Sequence, residues 1–243
     1  MSDTALPLDH VVILVADLEW AIAGYTALGF TVQRGGTHAA GTTHNALVGF
    51  ADGSYLELIA FLRPDPTHRW GAFAARGHQG FVDFALLPPS VGEVVERARA
   101  AGIDYVGPLD GGRTTLDGQV LKWQIGTPPS PDLPFLCGDL TPRALRVREG
   151  DVRVHANGVQ GVASITVQVP DLAASVARYA VLLGQPPTDA GPDAATFRLG
   201  GSRLQLKAAE GLPGVVALSL AARRAVSLPL ALTQQAAIEL QAP

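Results

Sequence analysis

The segment LDHVVILVADLEWAIAGYTALGF, residues 8–30, decides how the first part of this chain folds. Its first half is an unbroken apolar run rich in Val and Ile, which is typical of a buried β-strand. Asp17 then stands where a helix N-cap belongs, because its carboxylate can accept hydrogen bonds from the free N–H groups of the first turn. Apolar residues at positions 21, 22, 25 and 28 have helical spacing, and Gly29 ends the helix. The segment therefore predicts a strand followed directly by a helix.

Three more strands are predicted after this helix. FTVQRGG (residues 30–36) indicates one strand, and THNALVGF and SYLELIAF indicate two more. The last two are separated by Ala-Asp-Gly at positions 51–53, and Asp-Gly is a strong signal for a hairpin turn. The predicted order of this first unit is β-α-β-β-β.

The unit recurs along the chain. Asp17 and Tyr25 reappear as Asp171 and Tyr179, each 154 positions later (171 − 17), and GSYLEL returns as GSRLQL at residues 201–206. Two matched blocks in the same order indicate a duplicated supersecondary unit. In this later copy the positions of His10 and Glu57 are taken by Ser164 and Gln205, so its polar groups are neutral.

A fainter copy lies between these two. A shift of 73 positions (90 − 17) places Ser90 on Asp17 and Asp83 on His10. After residue 209 the sequence supplies two or three strands with no clear helix cap, which is half a unit.

Open sheets of this kind must pair to bury their inner faces. We therefore expect an α+β fold in which tandem βαβββ units pair into curved, barrel-like mixed sheets with helices packed outside. Residues 1–145 are expected to hold units 1 and 2 with the site. Residues 146–243 are expected to hold the third unit and the half unit, in a structural role.

Composition excludes several functional classes. The 243 residues carry a net charge of −4, which leaves no basic footprint for nucleic acid. The N-terminus shows no signal peptide, and no apolar run is long enough to span a membrane, so a cytoplasmic protein is expected. The single cysteine, Cys137, excludes an internal disulfide and is expected to be a small buried hydrophobe. The basic residues between positions 143 and 153 are interpreted as an exposed linker or edge strand.

Two polar clusters are candidates for a site. Glu57 lies within the apolar strand SYLELIAF on the same face as Tyr55, and a buried carboxylate is costly unless it is paired or bound to a metal. The alternative is that Glu57 lines a solvated face. The segment GGTHAAGTTHN (residues 35–45) offers His38, Thr42 and Asn45 beside glycines that permit close backbone approach. The alternative there is an ordinary loop with an Asn-stabilised turn.

The segments from LDHVVILVADL through GGTHAAGTTHN to GSYLELIAF resemble the vicinal oxygen chelate superfamily, in its glyoxalase-like branch. The resemblance implies a metal ligand early on the first strand and an acid on the last strand, positions held here by His10 and Glu57. Asp83 stands where a second imidazole is often found, and LPFLCGD (residues 133–139) shows no acid in register for a fourth ligand. The resemblance also places His38 and Asn45 near the cavity.

Three functions follow from this resemblance. The first is a divalent-metal-dependent lyase or isomerase acting on a small carbonyl-containing substrate, with metal ligands His10, Glu57 and Asp83. His38 or Glu57 then removes a proton, while Thr42, Asn45 and Tyr55 contact the substrate. The metal is Mg, Mn, Fe, Ni or Zn, or none at all.

The second function is a metal-free protein that binds a small molecule such as a drug or a metabolite. The third is an extradiol-type dioxygenase. The expected partner is a small-molecule ligand, with neither nucleic acid nor membrane, and a homodimer is an open alternative.

Overall fold

The computed structural model describes residues 6–242, and these fold into one closed barrel and one open sheet. Strands β1–β8 close the barrel in the order β1-β4-β3-β2-β6-β7-β8-β5. The elements of this half are β1 (Leu8–Leu14), α1 (Leu18–Ala27), β2 (Gln33–His38), β3 (Thr43–Gly49), β4 (Tyr55–Phe61), α2 (Gly71–Ala75), β5 (Gly80–Leu86), α3 (Val91–Ala100), β6 (Val106–Thr114), β7 (Val120–Thr127), β8 (Phe135–Asp139) and α4 (Arg143–Arg146).

The second half forms a seven-stranded sheet in the order β10-β11-β12-β9-β13-β15-β14. A short 3-10 helix, Gly150–Arg153, leads into it. Its elements are β9 (Gly161–Val169), α5 (Leu172–Leu183), β10 (Asp189–Ala190), β11 (Ala194–Leu199), β12 (Ser202–Ala208), β13 (Gly214–Ala221), β14 (Val226–Ser227) and β15 (Ile238–Gln241). The α+β fold of tandem units in curved mixed sheets is confirmed.

The three unit helices begin in the same way. The Asp17 carboxylate accepts from the backbone N–H of Trp20 at 3.0 Å, and the Asp171 carboxylate accepts from that of Ala174 at 2.9 Å. The Ser90 hydroxyl caps α3 by accepting from the N–H of Glu93. Each cap accepts a hydrogen bond from a backbone N–H group of the first turn that has no partner within the helix. This shared role explains why Asp17, Ser90 and Asp171 align between the copies.

Strand register confirms that the third copy repeats the first. Val12 of β1 pairs with Glu57 of β4, and Thr166 of β9 pairs with Gln205 of β12 in the same parallel arrangement. The carboxylate of the first unit is therefore matched by a neutral amide in the third unit, at an equivalent place in the sheet.

The barrel itself has an internal twofold relation through its central pair, β1 and β5. Val12 pairs with Asp83 across this antiparallel pair, and His10 pairs with Ala85. A twofold rotation that exchanges β1 and β5 exchanges these two residue pairs. It therefore superimposes Asp83 on His10 and Ala85 on Val12. Ala85 also pairs with Phe135 of β8, as Val12 pairs with Glu57, so Phe135 takes the position of Glu57 in the second unit.

Two apolar layers hold these sheets in place. One fills the space between the outer faces of the strands, the helices and the second sheet, and it contains Tyr25, Tyr105 and Tyr179 with almost no exposed surface. The other lies inside the barrel and includes Val12, Trp123 and Phe135. None of the helices in the described part of the chain has the length and apolar character that a membrane crossing requires.

Candidate functional site

A cavity of about 230 Å³ opens inside the barrel. Its apolar walls are aromatic, and its polar side chains come from several strands. The aromatic residues are Tyr55, Trp70, Trp123 and Phe135. The polar residues named by the sequence that line it are His10, His38, Thr42, Asn45 and Glu57.

Glu57 lies at the centre of the polar wall, with 6% of its surface exposed. Oε1 accepts a hydrogen bond from Nδ2 of Asn45 at 2.6 Å and lies 3.4 Å from Nε2 of His38. Oε2 lies 3.3 Å from Nε2 of His10. The structure thus brings together four of the residues that the sequence singled out, on strands β1, β2, β3 and β4.

The surroundings of Glu57 favour its ionised form. Burial alone raises the pKa of a carboxyl group, but hydrogen bonds from His10 and His38 hold the pKa of Glu57 well below its ordinary value. A carboxylate with so low a pKa is a weak general base, because proton abstraction at neutral pH needs a pKa nearer to 7. Glu57 is better suited to hold imidazoles or a cation than to remove a proton.

His10 is held between two carboxylates. Its Nδ1 lies 2.7 Å from Oδ2 of Asp9, and its ring stacks on that of Tyr55 with centroids 4.5 Å apart. Burial lowers the pKa of His10, but the hydrogen bonds to Asp9 and Glu57 outweigh this effect and raise it. The two carboxylates therefore shift the equilibrium of His10 toward its protonated form.

A network of ion pairs behind His10 was missed by the sequence analysis. Arg146 of α4 is 2% exposed, and its Nη1 donates to Oδ2 of Asp9 at 2.9 Å and to the hydroxyl of Tyr55 at 2.6 Å. Its Nη2 donates to Oδ2 of Asp139 at 2.9 Å. The interpretation of residues 143–153 as an exposed linker is wrong for Arg146, because three polar partners compensate the burial of its charge. The pairing of Arg146 with an acid on another strand has no local sequence signature.

The other predicted site residues occupy different roles. Thr42 lines the cavity and is 2% exposed. Tyr55 also lines it, but the hydroxyl of Tyr55 accepts from Arg146. The carboxylate of Asp83 is bound by Nη2 of Arg69 at 2.5 Å and by Nε1 of Trp70 at 3.0 Å, and Asp83 is not among the residues lining the cavity.

Asp83 does not fit the predicted set of metal ligands. The oxygens of Asp83 are engaged by Arg69 and Trp70, and Phe135 holds the position that corresponds to Glu57. Nε2 of His10 lies 3.3 Å from one oxygen of Glu57, and Nε2 of His38 lies 3.4 Å from the other. Within residues 6–242, no group of three or more His, Cys, Asp or Glu side chains is arranged to hold a metal ion.

Cys137 is buried, as expected, and lines the cavity. Burial raises the pKa of its thiol far above the ordinary value, so the thiolate form that would act as a nucleophile is disfavoured. The side chain serves as part of the apolar wall.

The paired units, the closed barrel and the cavity beside His10 and Glu57 define a protein of the vicinal oxygen chelate fold. A family model described as a glyoxalase-like domain matches residues 8–183, which is well over half of the chain. The chain belongs to this glyoxalase-like family. The comparison with curated proteins found no match.

Solved structures share this fold at low sequence identity. A hypothetical protein from Staphylococcus aureus has a TM-score of 0.81 at 14% identity, covering 98% of this chain and 100% of its own. A mutant of 4-hydroxymandelate synthase from Streptomyces coelicolor has a TM-score of 0.58 at 17% identity, and the match covers 89% of this chain and 71% of that one. A Mn(II)-bound glyoxalase from Novosphingobium aromaticivorans has a TM-score of 0.58 at 16% identity, and the match covers 89% of this chain and 65% of that one.

Proposed function

We propose that this protein binds a small carbonyl-containing organic molecule in the barrel cavity, without a resident metal ion. The observation that carries the proposal is the cavity of about 230 Å³, which combines aromatic walls with a polar cluster centred on Glu57. Cavities of this kind, apolar with a few fixed polar groups, are typical of small-molecule sites. The engagement of Asp83 by Arg69, and Phe135 at the counterpart of Glu57, support binding without a metal.

Tryptophan fluorescence tests this proposal. Trp123 lines the cavity, whereas Trp20 is 64% exposed on α1 outside it. The probe is acetophenone, a neutral aromatic ketone. We expect it to change the tryptophan fluorescence of the chelator-stripped protein, and the change should saturate as the acetophenone concentration rises. Because Trp70 also lines the cavity, Trp70→Phe and Trp123→Phe should each reduce this change, and Trp20→Phe should retain it. A stripped protein that gives no saturable response contradicts the proposal, and a response restored by a divalent ion favours the second candidate instead.

A divalent-metal-dependent lyase or isomerase is the second candidate, favoured by the way two imidazoles are oriented. Nδ1 of His10 is held by Asp9 at 2.7 Å, and Nδ1 of His38 by the hydroxyl of Thr43 at 2.8 Å. Both Nε2 atoms therefore face Glu57. Outer partners of this kind orient imidazoles that bind metals. A bound divalent ion would act as a Lewis acid toward the carbonyl oxygen of the substrate.

Metal analysis distinguishes the two candidates. After chelator treatment and reloading with Mn²⁺, Ni²⁺ or Zn²⁺, the second candidate predicts about one ion per chain. His10→Ala and Glu57→Ala should each abolish this uptake, while Asp83→Asn should retain it because Asp83 binds Arg69. If both alanine variants take up metal as the unmodified protein does, the assignment is wrong. The same test covers the dioxygenase expectation, which also requires a metal at His10 and Glu57.

A further inference from the structure

Arg113 of β6 is a buried cation on the wall of the cavity. It is 5% exposed and lines the cavity, as do Trp123 and Ile125. Nη2 donates to the backbone carbonyl of Arg146 at 2.7 Å. Its Nε is buried with no hydrogen-bond partner. A guanidinium has five N–H donors, so most of its capacity is unused.

The other buried charges around the cavity are compensated, and Asp110, which also lines it, is exposed to solvent. Asp9 and Asp139 are paired with Arg143 and Arg146. Asp83 is paired with Arg69. Glu57 lies against His10 and His38.

Arg113 differs from these groups. Among residues 6–242, no carboxylate lies within 4.0 Å of its guanidinium nitrogens. Burial lowers the pKa of Arg113, but a guanidinium stays protonated at neutral pH. Glu57 acts on Arg113 only from beyond 4.0 Å, so the guanidinium lacks a hydrogen-bonded counter-charge. A buried charge in this state is costly to fold, and a ligand anion would supply the missing contact.

The aromatic walls of the cavity suit a flat, apolar body. The indole of Trp123 lies against Gly111, where a Cβ atom would come within 2.3 Å of Nε1. Phe135 also lines the cavity. Arginine recognises carboxylates through a planar, two-pronged geometry, so charge and shape together specify an anion attached to a planar group.

We propose that the cavity binds a small aromatic monocarboxylate, with its carboxylate on the guanidinium of Arg113. This inference rests on the proposed ligand-binding function and names the chemical class of the ligand. A single negative charge matches Arg113, the buried cation on the cavity wall that has no carboxylate within 4.0 Å among residues 6–242.

The test compares benzoate with benzamide, which has nearly the same shape and no charge. Binding is measured by tryptophan fluorescence titration of the full chain, and again by the shift in melting temperature. We expect the unmodified protein to bind benzoate at least about tenfold more tightly than benzamide. Arg113→Met should lose this preference, and Arg113→Lys should keep a reduced one. Arg224→Met, which removes an exposed arginine, should behave as the unmodified protein does.

Two outcomes overturn the proposal. One is equal affinity of the unmodified protein for the two probes, and the other is a preference for benzoate that survives Arg113→Met. In both cases binding of benzamide and acetophenone would leave the ligand-binding function standing. If none of the three probes binds, both proposals fail. The lysine variant keeps the comparison decisive if the methionine variant does not fold.

Discussion

Arg146 shows how one side chain can hold a site together. Its guanidinium contacts Asp9 behind His10, the hydroxyl of Tyr55 on β4 and the carboxylate of Asp139 on β8. Asp9 in turn fixes His10, which faces Glu57. The orientation of the imidazole in the cavity therefore depends on a residue of α4.

Replacing Arg146 should be far more costly than replacing its neighbour Arg143. We expect Arg146→Met to lower the free energy of unfolding by about 3–5 kcal/mol, because it leaves the buried carboxylate of Asp9 without its main partner. Arg143→Met should cost about 1–2 kcal/mol, since this side chain is 27% exposed and water can replace it. Urea denaturation measures both values. Equal losses for the two variants would contradict the role assigned to Arg146.

The sequence predicted Glu57 because its carboxylate lies within an apolar strand. His10 followed from the family resemblance and Asn45 from the polar, glycine-rich segment 35–45, and the structure places the three together. Arg113 and Arg146 were missed because the partners of a buried charge come from distant strands, and a single sequence does not show which ones. Asp83 was correctly aligned with His10, but its pairing with Arg69 depends on how the segment before β5 folds over the barrel.

At the scale of elements, the hairpin of β2 and β3 shapes the polar wall. Asn45 of β3 pairs with Gly36 of β2, and its amide reaches Glu57 on β4. Gly35 lies directly beside it, and a Cβ atom there would come within 2.0 Å of Oδ1 of Asn45. The close backbone approach expected from the glycines of this segment is present at Gly35.

Adding one methyl group at this hairpin should disturb the polar wall. We expect Gly35→Ala to lower the free energy of unfolding by about 1–3 kcal/mol through overpacking against Asn45. The cost should shrink in an Asn45→Ala background, where the clash is absent, so the two changes are not additive. Gly201→Ala is the control, because a Cβ atom there meets nothing within 4 Å. Additive costs at positions 35 and 45 would argue against this contact.

At the scale of the whole molecule, His155 anchors the segment between the barrel and the second sheet to the first unit through hydrogen bonds. Its Nδ1 accepts from the backbone N–H of Thr31 at 3.0 Å, and its Nε2 lies 2.9 Å from the carbonyl oxygen of Gly49. The rings of Phe30 and Phe50 surround it. Both bonds are made by the neutral imidazole, since Nδ1 must be unprotonated to accept.

The stability that these hydrogen bonds of His155 provide should depend on pH. Burial lowers the pKa of His155 below its ordinary value of 6.5, so between the two values the unfolded chain binds a proton that the folded chain does not. The contribution of His155 to the free energy of unfolding is fully present above about pH 6.5. It is lost as the pH falls through the lower pKa that His155 has in the folded state.

We expect His155→Leu to cost about 1–3 kcal/mol at pH 7.5, because it leaves buried backbone groups unpaired. The difference in the free energy of unfolding between the variant and the unmodified protein should become smaller toward pH 5. Urea denaturation across this pH range measures it, and subtraction of the two curves removes the contributions of the other histidines. A difference that does not change with pH would contradict the protonation argument.

The twofold pairing of β1 with β5 has a consequence for how a ligand is oriented. Because a rotation relates the two halves of the barrel, an unaltered duplicate would offer a ligand two equivalent orientations. Phe135 and Asp83 stand at the counterparts of Glu57 and His10, so that equivalence is lost. A ligand with one polar end would therefore bind in a single orientation, with that end toward Glu57.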